Sequence, residues 1–587
     1  MKRTRRLVGG LGLTLACAGA ATLGHASHPQ AAAASTGAGC TNPPAVFPED
    51  KVTAGLTGTG KTVLNGTTPT SFGVKVLGVL SDGIAPGLDL IVVKLSGPVV
   101  DQAGGAFEGI SGSPVYVNGK LMGAVSYALS FDRTVAGLTP AQPMVNLFDY
   151  PRASTSALPQ QMPMHVKLTP KLQSAVTAAS HVTTSSTGSM TLLKVPVGVS
   201  GLTDAGLQRL QRTFNRHHLA YTAFRGGAAA APSGVTGAAI VAGGNFAATQ
   251  SFGDLTFYGL GTATAVCGDE TVAFGHPFGL TGPAALGMNN ADTITIVKDP
   301  FFPYKLANIT GFRGIVDQDR LAGIRGISGT LPQLTSVTTS LRNADLGTSR
   351  TGRTDIADQG LMTLIAQYAV FVENVVTFDR EGSGSETMDW TITGTFQGEP
   401  FTLTRTGVQY SPYDITYEGP LELMGELGAL QKNKFGSARI TGVHFGGTLT
   451  QVQETATITK VESRTGHHPF AVRRVLRVRP GGTVHLRVTL THPDGTASVV
   501  AMSVEVPGRF RGGVLELRGG IPPQGCPYCA FGETFRTNAT SFAGLLAQFA
   551  HGEHRNDLIA SLGAGVKTSV STPRVVLGRK AIFLVRR

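Results

Sequence analysis

The chain has 587 residues, which is too long for one hydrophobic core and predicts roughly three or four domains. Its 41% hydrophobic residues exclude disorder of the whole chain, and 77 glycines and 32 prolines between short Val- and Thr-rich segments indicate a mainly β protein. The formal net charge is +12, but the basic residues are scattered except in RRVLRVR at 473–479. No aromatic residues or recognition helix that could contact bases accompany that stretch, which argues against nucleic-acid binding. A solvated basic face that could contact an anionic cell envelope is favoured instead.

Residues 1–34 are typical of a signal peptide. Basic residues at 2–6 precede an apolar run from 7 to about 23, and small residues follow at which a signal peptidase could cleave. No other apolar run approaches the roughly 18 residues of a membrane-spanning helix. Cys17 raises lipid attachment as an alternative, although the preceding LTLA fits the usual pattern poorly. We therefore expect a protein that is secreted or associated with the cell envelope.

The remaining chain alternates β modules with connecting regions. Four helices are predicted, in TDAGLQRLQRTFNRHH behind a cap at Thr203 and Asp204, in GLMTLIAQYAVFVENVV, in GPLELMGELGALQKN and in FAGLLAQFA. The segment ETMDWTITGTFQGEPFTLTRTG predicts a hairpin. The predicted regions are a β module at 40–150, a linker with a small insertion at 151–244, a β module at 245–345, an α+β connection at 346–434, an immunoglobulin-like sandwich at 435–525 and an α/β tail at 526–587.

Four cysteines remain after the leader, Cys40, Cys267, Cys526 and Cys529. An even number in an oxidising compartment permits disulfides but does not fix their pairing. CPYC at 526–529 could be a redox motif, half of a metal site or a structural disulfide. Because no second pair stands at zinc-site spacing, a structural disulfide in a loop is the favoured interpretation.

The stretch EGISGSPVYVNGKLMGAV places Ser111 on a tight turn before a hairpin, whose own turn is Asn118-Gly119. Gly109 leaves the backbone free to aim its own N–H and that of Ser111 into one concavity, as an oxyanion hole requires. This arrangement is typical of two-barrel serine proteases of the chymotrypsin kind and differs from the strand-to-helix elbow of α/β-hydrolases. A Gly-Ser-Gly turn without function is the alternative, and Ser328 in RGISGTLP has a similar frame without the hairpin.

His276, in ETVAFGHPFGLTG, ends an apolar strand between a glycine and a proline, a sheltered position that suits a general base. A histidine satisfied by backbone carbonyls is the alternative interpretation. The other histidines considered are less suited, since those in GHHPF at 466–470 lie in a polar turn and His217 and His218 end a predicted helix. His551 and His554 lack a third metal ligand.

The segments GGAFEGISGSPVYVNGKLMGAV and DLTFYGLGTATAVCGDETVAFGHPF resemble the SpoIVB-type serine peptidase family. The resemblance implies that Ser111 is the nucleophile and His276 the base, on a chymotrypsin-like two-barrel module with a serine half at 40–150 and a histidine half at 245–345. Here the serine precedes the histidine, whereas the namesake of the family has the reverse order. The register of the family's acidic residue falls on Ser96, so the third triad member is unknown.

Asp89, Asp101, Asp254 and Asp269 are nearby acidic residues, none of which the sequence assigns. We expect an exported serine endopeptidase that acts on protein or peptide substrates, with Ser111 and His276 catalytic and Gly109 and Ser111 forming the oxyanion hole. The alternative is a catalytically silent envelope protein that binds peptides or cell-wall components. No metal or cofactor motif competes with these readings, and the sequence leaves the substrate and the oligomeric state open.

Overall fold

The computed structural model describes residues 40–153, 160, 164–180, 188–299, 302–523, 525, 536–563 and 565–587. The predicted signal peptide and the CPYC motif lie outside these residues. The protein is mainly β, with 49% of its residues in strands and 16% in helices, as the composition indicates. Within the described ranges, no helix combines the length and apolar character needed to span a membrane.

The first sheet contains a closed antiparallel barrel of six strands, in the order β4-β1-β2-β3-β6-β5, with β4 also pairing β5. Its apolar side chains alternate along each strand and fill the barrel, as in β3, where Ile91, Val93 and Leu95 are buried in one core. The elements of this half are β1 (Thr57–Thr62), β2 (Thr70–Ala85), β3 (Leu88–Ser96), α1 (Pro98–Ala103), β4 (Pro114–Val117), β5 (Lys120–Ala128), β6 (Val135–Pro140), α2 (Ala141–Val145), β7 (His165–Lys167), α3 (Pro170–Ala179) and β8 (Ser189–Leu192), with 3₁₀ turns at Glu49–Lys51 and Asn146–Asp149.

The hairpin of β4 and β5 turns at Asn118 and Gly119, whose φ angles of 50° and 77° are those of the predicted type I′ turn. That turn pairs Val117 with Lys120, and a register shift between Tyr116 and Val115 then places Pro114 opposite Ala124. The loop carrying Ser111 leads directly into this hairpin and is therefore anchored to the barrel wall.

The second sheet has 13 strands, in the order β10-β9-β12-β13-β16-β15-β14-β11-β18-β17-β21-β19-β20. Because β12 also pairs β11, six of these strands, β11 to β16, form a second closed ring of antiparallel pairings. The elements are β9 (Val195–Val199), α4 (Asp204–Arg216), β10 (Tyr221–Arg225), β11 (Asn245–Gly253), β12 (Phe257–Cys267), β13 (Glu270–Ala273), β14 (Gly282–Val297), β15 (Tyr304–Arg320), β16 (Gly323–Ser328), β17 (Thr335–Asn343), β18 (Thr348–Ile356), α5 (Met362–Phe378), β19 (Gly384–Phe396), β20 (Glu399–Ser411), α6 (Ile415–Glu418), α7 (Leu421–Gln431) and β21 (Ala438–Thr450).

Helices α4, α5 and α7 lie where the sequence predicts them, whereas the short α6 was not predicted. The hydroxyl of Thr203 accepts a hydrogen bond from Gly206 N–H and caps α4. Helix α5 is apolar around nearly its whole circumference, which indicates burial, and it packs on β17, β18 and α7. The predicted hairpin is β19 and β20, paired from Gly384 to Phe396 without interruption.

Two five-stranded sheets that share one apolar core make up the C-terminal region. The strand at 438–450 pairs with β17 and β19 in the large second sheet and lies outside these two sheets. Strands after residue 555 complete the two sheets instead. The structure therefore groups these strands differently from the predicted regions. The elements are β22 (Thr455–Thr465), β23 (Ala471–Val472), β24 (Val475–Val478), β25 (Thr483–Thr491), β26 (Ala497–Glu505), β27 (Gly512–Gly519), α8 (Phe542–Ala550), β28 (Asp557–Leu562), β29 (Val566–Ser571), β30 (Val575–Leu577) and β31 (Arg579–Arg586).

Two long-range links join the halves that carry Ser111 and His276. A disulfide connects Cys40, ahead of the first barrel, to Cys267 at the end of β12, 227 residues away in sequence. The buried guanidinium of Arg325 pairs with Asp317 at 2.6 Å and donates to four carbonyl oxygens between residues 147 and 151. These links hold the segment that leaves the first barrel against the second ring.

Replacing both cysteines of the disulfide, in the variant Cys40→Ser/Cys267→Ser, should lower stability by about 4 kcal/mol, because the bridge closes a very long loop in the unfolded chain. The thermal midpoint of the oxidised wild type is compared with that of the variant and of the wild type in reductant. Equal midpoints in all three samples would contradict a stabilising role for this bridge.

Candidate active site

The loop carrying Ser111 presents its carbonyl groups to strand β12. The Gly109 oxygen accepts a hydrogen bond from Thr262 Oγ1 at 3.0 Å, and the Ser111 oxygen accepts one from Thr262 N at 2.8 Å. The Gly112 oxygen accepts a third from Thr264 Oγ1 at 2.8 Å. The loop is therefore bound to the second ring by three of its own carbonyl groups.

Unlike these carbonyl groups, only some of the N–H groups of the same loop have a hydrogen-bond partner. Those of Ile110, Gly112 and Ser113 donate to Phe107, Val125 and Ile110, respectively. Among the described residues, those of Gly109 and Ser111 have no acceptor. Gly109 has a φ of +93° and Gly112 one of +90°, a backbone that only glycine adopts without strain. The two N–H groups expected to bind an oxyanion are thus the two that the loop leaves unpaired.

Gly112 lies directly against the backbone of the second ring. A carbon added at its Cβ position would stand 2.0 Å from the Thr262 oxygen and 2.4 Å from the Phe274 nitrogen. No real side-chain carbon approaches backbone that closely. The sequence Gly-x-Ser-Gly therefore reflects a second constraint besides the turn, which is contact between two distant stretches of main chain.

His276 follows strand β13, after Phe274 and Gly275, whose φ angles are +73° and +67°. Its Nδ1 lies 2.7 Å from the carbonyl oxygen of Pro277. Because a carbonyl only accepts, Nδ1 carries the proton and Nε2 holds a lone pair, the tautomer that a general base needs. Burial lowers the pKa of His276 to about 4, partly opposed by the hydrogen bond to Pro277, so the ring is neutral at pH 7.

The serine loop and the histidine loop meet at strand β5. The Val125 oxygen accepts a hydrogen bond from the Gly112 N–H and lies 3.3 Å from the Cβ position of Gly275. The carbonyl oxygen of Gly275 in turn accepts a hydrogen bond from Thr139 Oγ1 at 2.5 Å. Within the described structure, Ser111 Oγ and His276 Nε2 are buried without hydrogen-bond partners, so no hydrogen bond joins them here. The two loops are neighbours, and the proton-transfer contact between their side chains is not made.

The side chains of Ser111 and His276 are both closed off from solvent. Ser111 is 2% exposed and His276 1% exposed. A substrate carbonyl could reach Ser111 Oγ only after the surrounding chain opens. The same burial leaves Ser111 Oγ and His276 Nε2 without partners, as it does other buried side-chain atoms of the described chain.

None of the four acidic candidates from the sequence contacts His276. Asp89 accepts from Asp82 N in an exposed hairpin, and Asp101 is exposed on α1. Asp254 accepts from Arg353 N, and Asp269 pairs with Arg152 at the far end of β13 from His276. His276 Nδ1, which contacts a carboxylate in a serine-protease triad, here contacts the backbone carbonyl of Pro277.

Asp319 supports the histidine loop instead, and the sequence analysis missed it. Its carboxylate accepts from the N–H groups of Phe278, Gly279 and Thr281 at 2.8, 2.7 and 3.2 Å. Burial raises the pKa of Asp319 to about 6 although these hydrogen bonds oppose the shift. The sequence offered little signal, because Asp317 and Asp319 stand in the polar run DQDR that ends β15, and only the fold shows that they are buried.

Ser328 and the other histidines lie away from these two loops. Ser328 ends β16 at the edge where Asp269 O accepts its N–H, whereas His276 follows the opposite end of the neighbouring β13. His467 and His468 line a basic cleft near Arg477, far along the chain in the C-terminal sheets. In the part of the chain that the structure describes, no three His, Cys, Asp or Glu side chains are grouped so as to hold a metal ion.

No protein-family model, curated protein or solved structure matches this chain.

Alanine substitutions at Gly112 and, as the matched control, at Gly119 distinguish the stability cost of steric contact from the cost of backbone strain. Both glycines have positive φ, but nothing lies within 4 Å of the Cβ position of Gly119. We expect Gly119→Ala to cost about 1 kcal/mol and Gly112→Ala about 3 kcal/mol or more, because the latter must also separate the two main chains. Thermal midpoints and the yield of folded protein measure this, and equal midpoints for the two variants would contradict the close contact.

Proposed function

We propose that the protein is an exported serine endopeptidase that hydrolyses peptide bonds in protein or peptide substrates. The single observation that carries the proposal is the set of unpaired groups on the two adjoining loops, namely Ser111 Oγ, His276 Nε2 and the N–H groups of Gly109 and Ser111. These are a nucleophile, a base and two oxyanion donors, which are the parts that acyl transfer requires.

In the proposed reaction, Ser111 Oγ attacks the substrate carbonyl carbon while its proton passes to His276 Nε2. The carbonyl electrons move onto oxygen, and the N–H groups of Gly109 and Ser111 donate to the resulting oxyanion. Collapse of this tetrahedral species breaks the C–N bond, and the imidazolium returns its proton to the leaving amine. Water then repeats the sequence on the acyl-enzyme with His276 as base, which restores the serine.

The environment of His276 predicts slow chemistry. Its Nδ1–H donates to a neutral carbonyl, which stabilises an imidazolium less than a carboxylate does. A base with a pKa of about 4 also accepts the serine proton less readily than one poised near the working pH. Together with the burial of both side chains, this favours a peptidase that is regulatory or self-processing over one that digests proteins continuously.

The fold is compatible with a chymotrypsin-like two-barrel module, the architecture that the resemblance to the SpoIVB-type family implies. Ser111 precedes the β4–β5 hairpin of one six-stranded ring, and His276 follows β13 of the other. Within this proposal the C-terminal sheet pair serves as an immunoglobulin-like spacer or recognition unit, and the N-terminal leader directs the protein to the exterior or the envelope.

A catalytically silent protein that binds peptides or wall components is the second candidate function. The observation in its favour is that the serine site is closed while a cleft of about 760 Å³ is open on the face of β17 to β21. Ser340, Asp389, Thr406 and His444 line this cleft, and Thr572 from the C-terminal sheets borders it. Its lining of hydroxyl and charged groups suits a polar chain.

A fluorophosphonate probe distinguishes the two functions because it reacts only with an activated serine. We expect the wild type to be labelled slowly, Ser111→Ala to fall to background, and Ser328→Ala to stay within about twofold of wild type. Mass spectrometry of the labelled peptide locates the adduct. Absence of labelling of the wild type under every condition would reject the peptidase and favour the binding protein.

The labelling rate should depend on pH through the buried base. His276 is active when neutral, and its lowered pKa keeps it neutral above about pH 4, so the rate should rise between pH 3 and 5 and then level off below neutrality. An unperturbed histidine would give a rise centred near pH 6.5. A midpoint at 6.5 would show that the reacting base is not the buried His276 described here.

A further inference from the structure

Lys305 is a fully buried lysine immediately behind the serine loop. Its exposed fraction is 0%, and its backbone N–H donates to the Glu108 oxygen at 2.8 Å. Its Cβ stands 2.9 Å from the Cβ position of Gly109, and its Nζ lies 6.0 Å from the centre of the Phe107 ring. The Lys305 side chain therefore lies beside Phe107 and Gly109, which lead into the turn at Ser111.

The direction of each hydrogen bond from Lys305 follows from the acceptors. Nζ lies 3.0 Å from Asn245 Oδ1, which only accepts, and 3.4 Å from Thr262 Oγ1. Thr262 Oγ1 gives its single proton to the Gly109 oxygen, so it must accept from the amine. The result is a directed chain from the Lys305 amine through the Thr262 hydroxyl to the Gly109 carbonyl.

The partners of Lys305 are neutral, and the described residues form no ion pair with it. Glu108, the nearest acid along the loop, is influenced by Thr222, Arg133, Lys194 and Asp299. Burial alone lowers the pKa of Lys305 to about 7, and no charged neighbour contributes to the shift. Burying an amine without a carboxylate is costly, so a structural role alone would be met better by an apolar side chain.

We propose that Lys305 is a positioning residue of the candidate active site, which holds the Gly109 carbonyl away from the oxyanion donors through Thr262. This inference rests on the proposed function. Gly109 has little intrinsic barrier to rotation of its peptide group, since it lacks a side chain. If the carbonyl rotated, its oxygen would move toward the N–H groups that must remain free, and the oxyanion would lose its donors.

The variants Lys305→Met and Thr262→Val test this role, with Thr262→Ser as the conservative rescue and Lys120→Met, at an exposed hairpin position, as the control. Two quantities are measured in each protein: the second-order rate of fluorophosphonate labelling at Ser111, and hydrogen exchange by mass spectrometry over residues 105–117. Exchange of strand β25 and the thermal midpoint report on the rest of the fold.

We expect Lys305→Met and Thr262→Val to lower the labelling rate about 10- to 100-fold, which is no more than the loss of one oxyanion donor. Exchange over 105–117 should become about tenfold faster, while β25 and the thermal midpoint stay unchanged or the midpoint rises. Thr262→Ser and Lys120→Met should remain within about threefold of wild type. The wild-type labelling rate should also fall as pH rises through about 7, because a charged amine is the stronger donor, and this fall should be missing in Lys305→Met.

Wild-type labelling together with unchanged labelling in both variants would overturn the positioning role and leave the proposed peptidase intact. Unchanged exchange over 105–117 in Lys305→Met would overturn it in the same way. If the wild type is not labelled at all, the peptidase proposal fails separately. In that case faster exchange in the variants would still support the action of Lys305 on the loop, and unchanged exchange would reject it.

Discussion

The main-chain contact between Gly112 and strand β12 is the constraint on which the candidate site depends. It brings the peptide backbone of the serine loop against that of Thr262 and Phe274, with no side chain between them. Three carbonyl groups of the loop then bind β12, and the hairpin continues into the wall of the first barrel. The position of Ser111 relative to the histidine loop thus follows from backbone packing, with the Cys40–Cys267 disulfide as a covalent restraint between the same two halves.

Local signals in the sequence were enough for the elements of the fold that depend on local structure. The Asn118-Gly119 turn, the Thr203 cap and the apolar α5 each follow from residue types a few positions apart. Groups that act through distant partners could not be found in this way. Lys305 and Asp319 acquire their roles only when β15, which carries both, lies beside the loops at 109–113 and 276–281. The partner of His276 stayed unassigned for another reason, since it is the backbone carbonyl of the next residue, and residue types do not show where a carbonyl points.

Four buried polar or ionisable groups lie on or beside the two loops, although buried side-chain atoms without partners also occur elsewhere in the described chain. Ser111 and His276 have unpaired atoms, Lys305 lacks a carboxylate, and Asp319 is held by backbone N–H groups. Each arrangement costs stability relative to an apolar core, and such costs are usually found where a protein binds or reacts. Under the proposed function, the site becomes competent when it opens and the unpaired atoms of Ser111 and His276 meet a substrate.

The most direct measurement is a crystal structure of the wild-type protein treated with a peptide boronic acid. The account predicts a covalent bond from Ser111 Oγ to a tetrahedral boron, with one boronate oxygen about 3 Å from the nitrogen atoms of Gly109 and Ser111 and the other facing His276 Nε2. A boronate that leaves Ser111 unmodified, or an adduct whose oxygen points away from both N–H groups, would contradict the account.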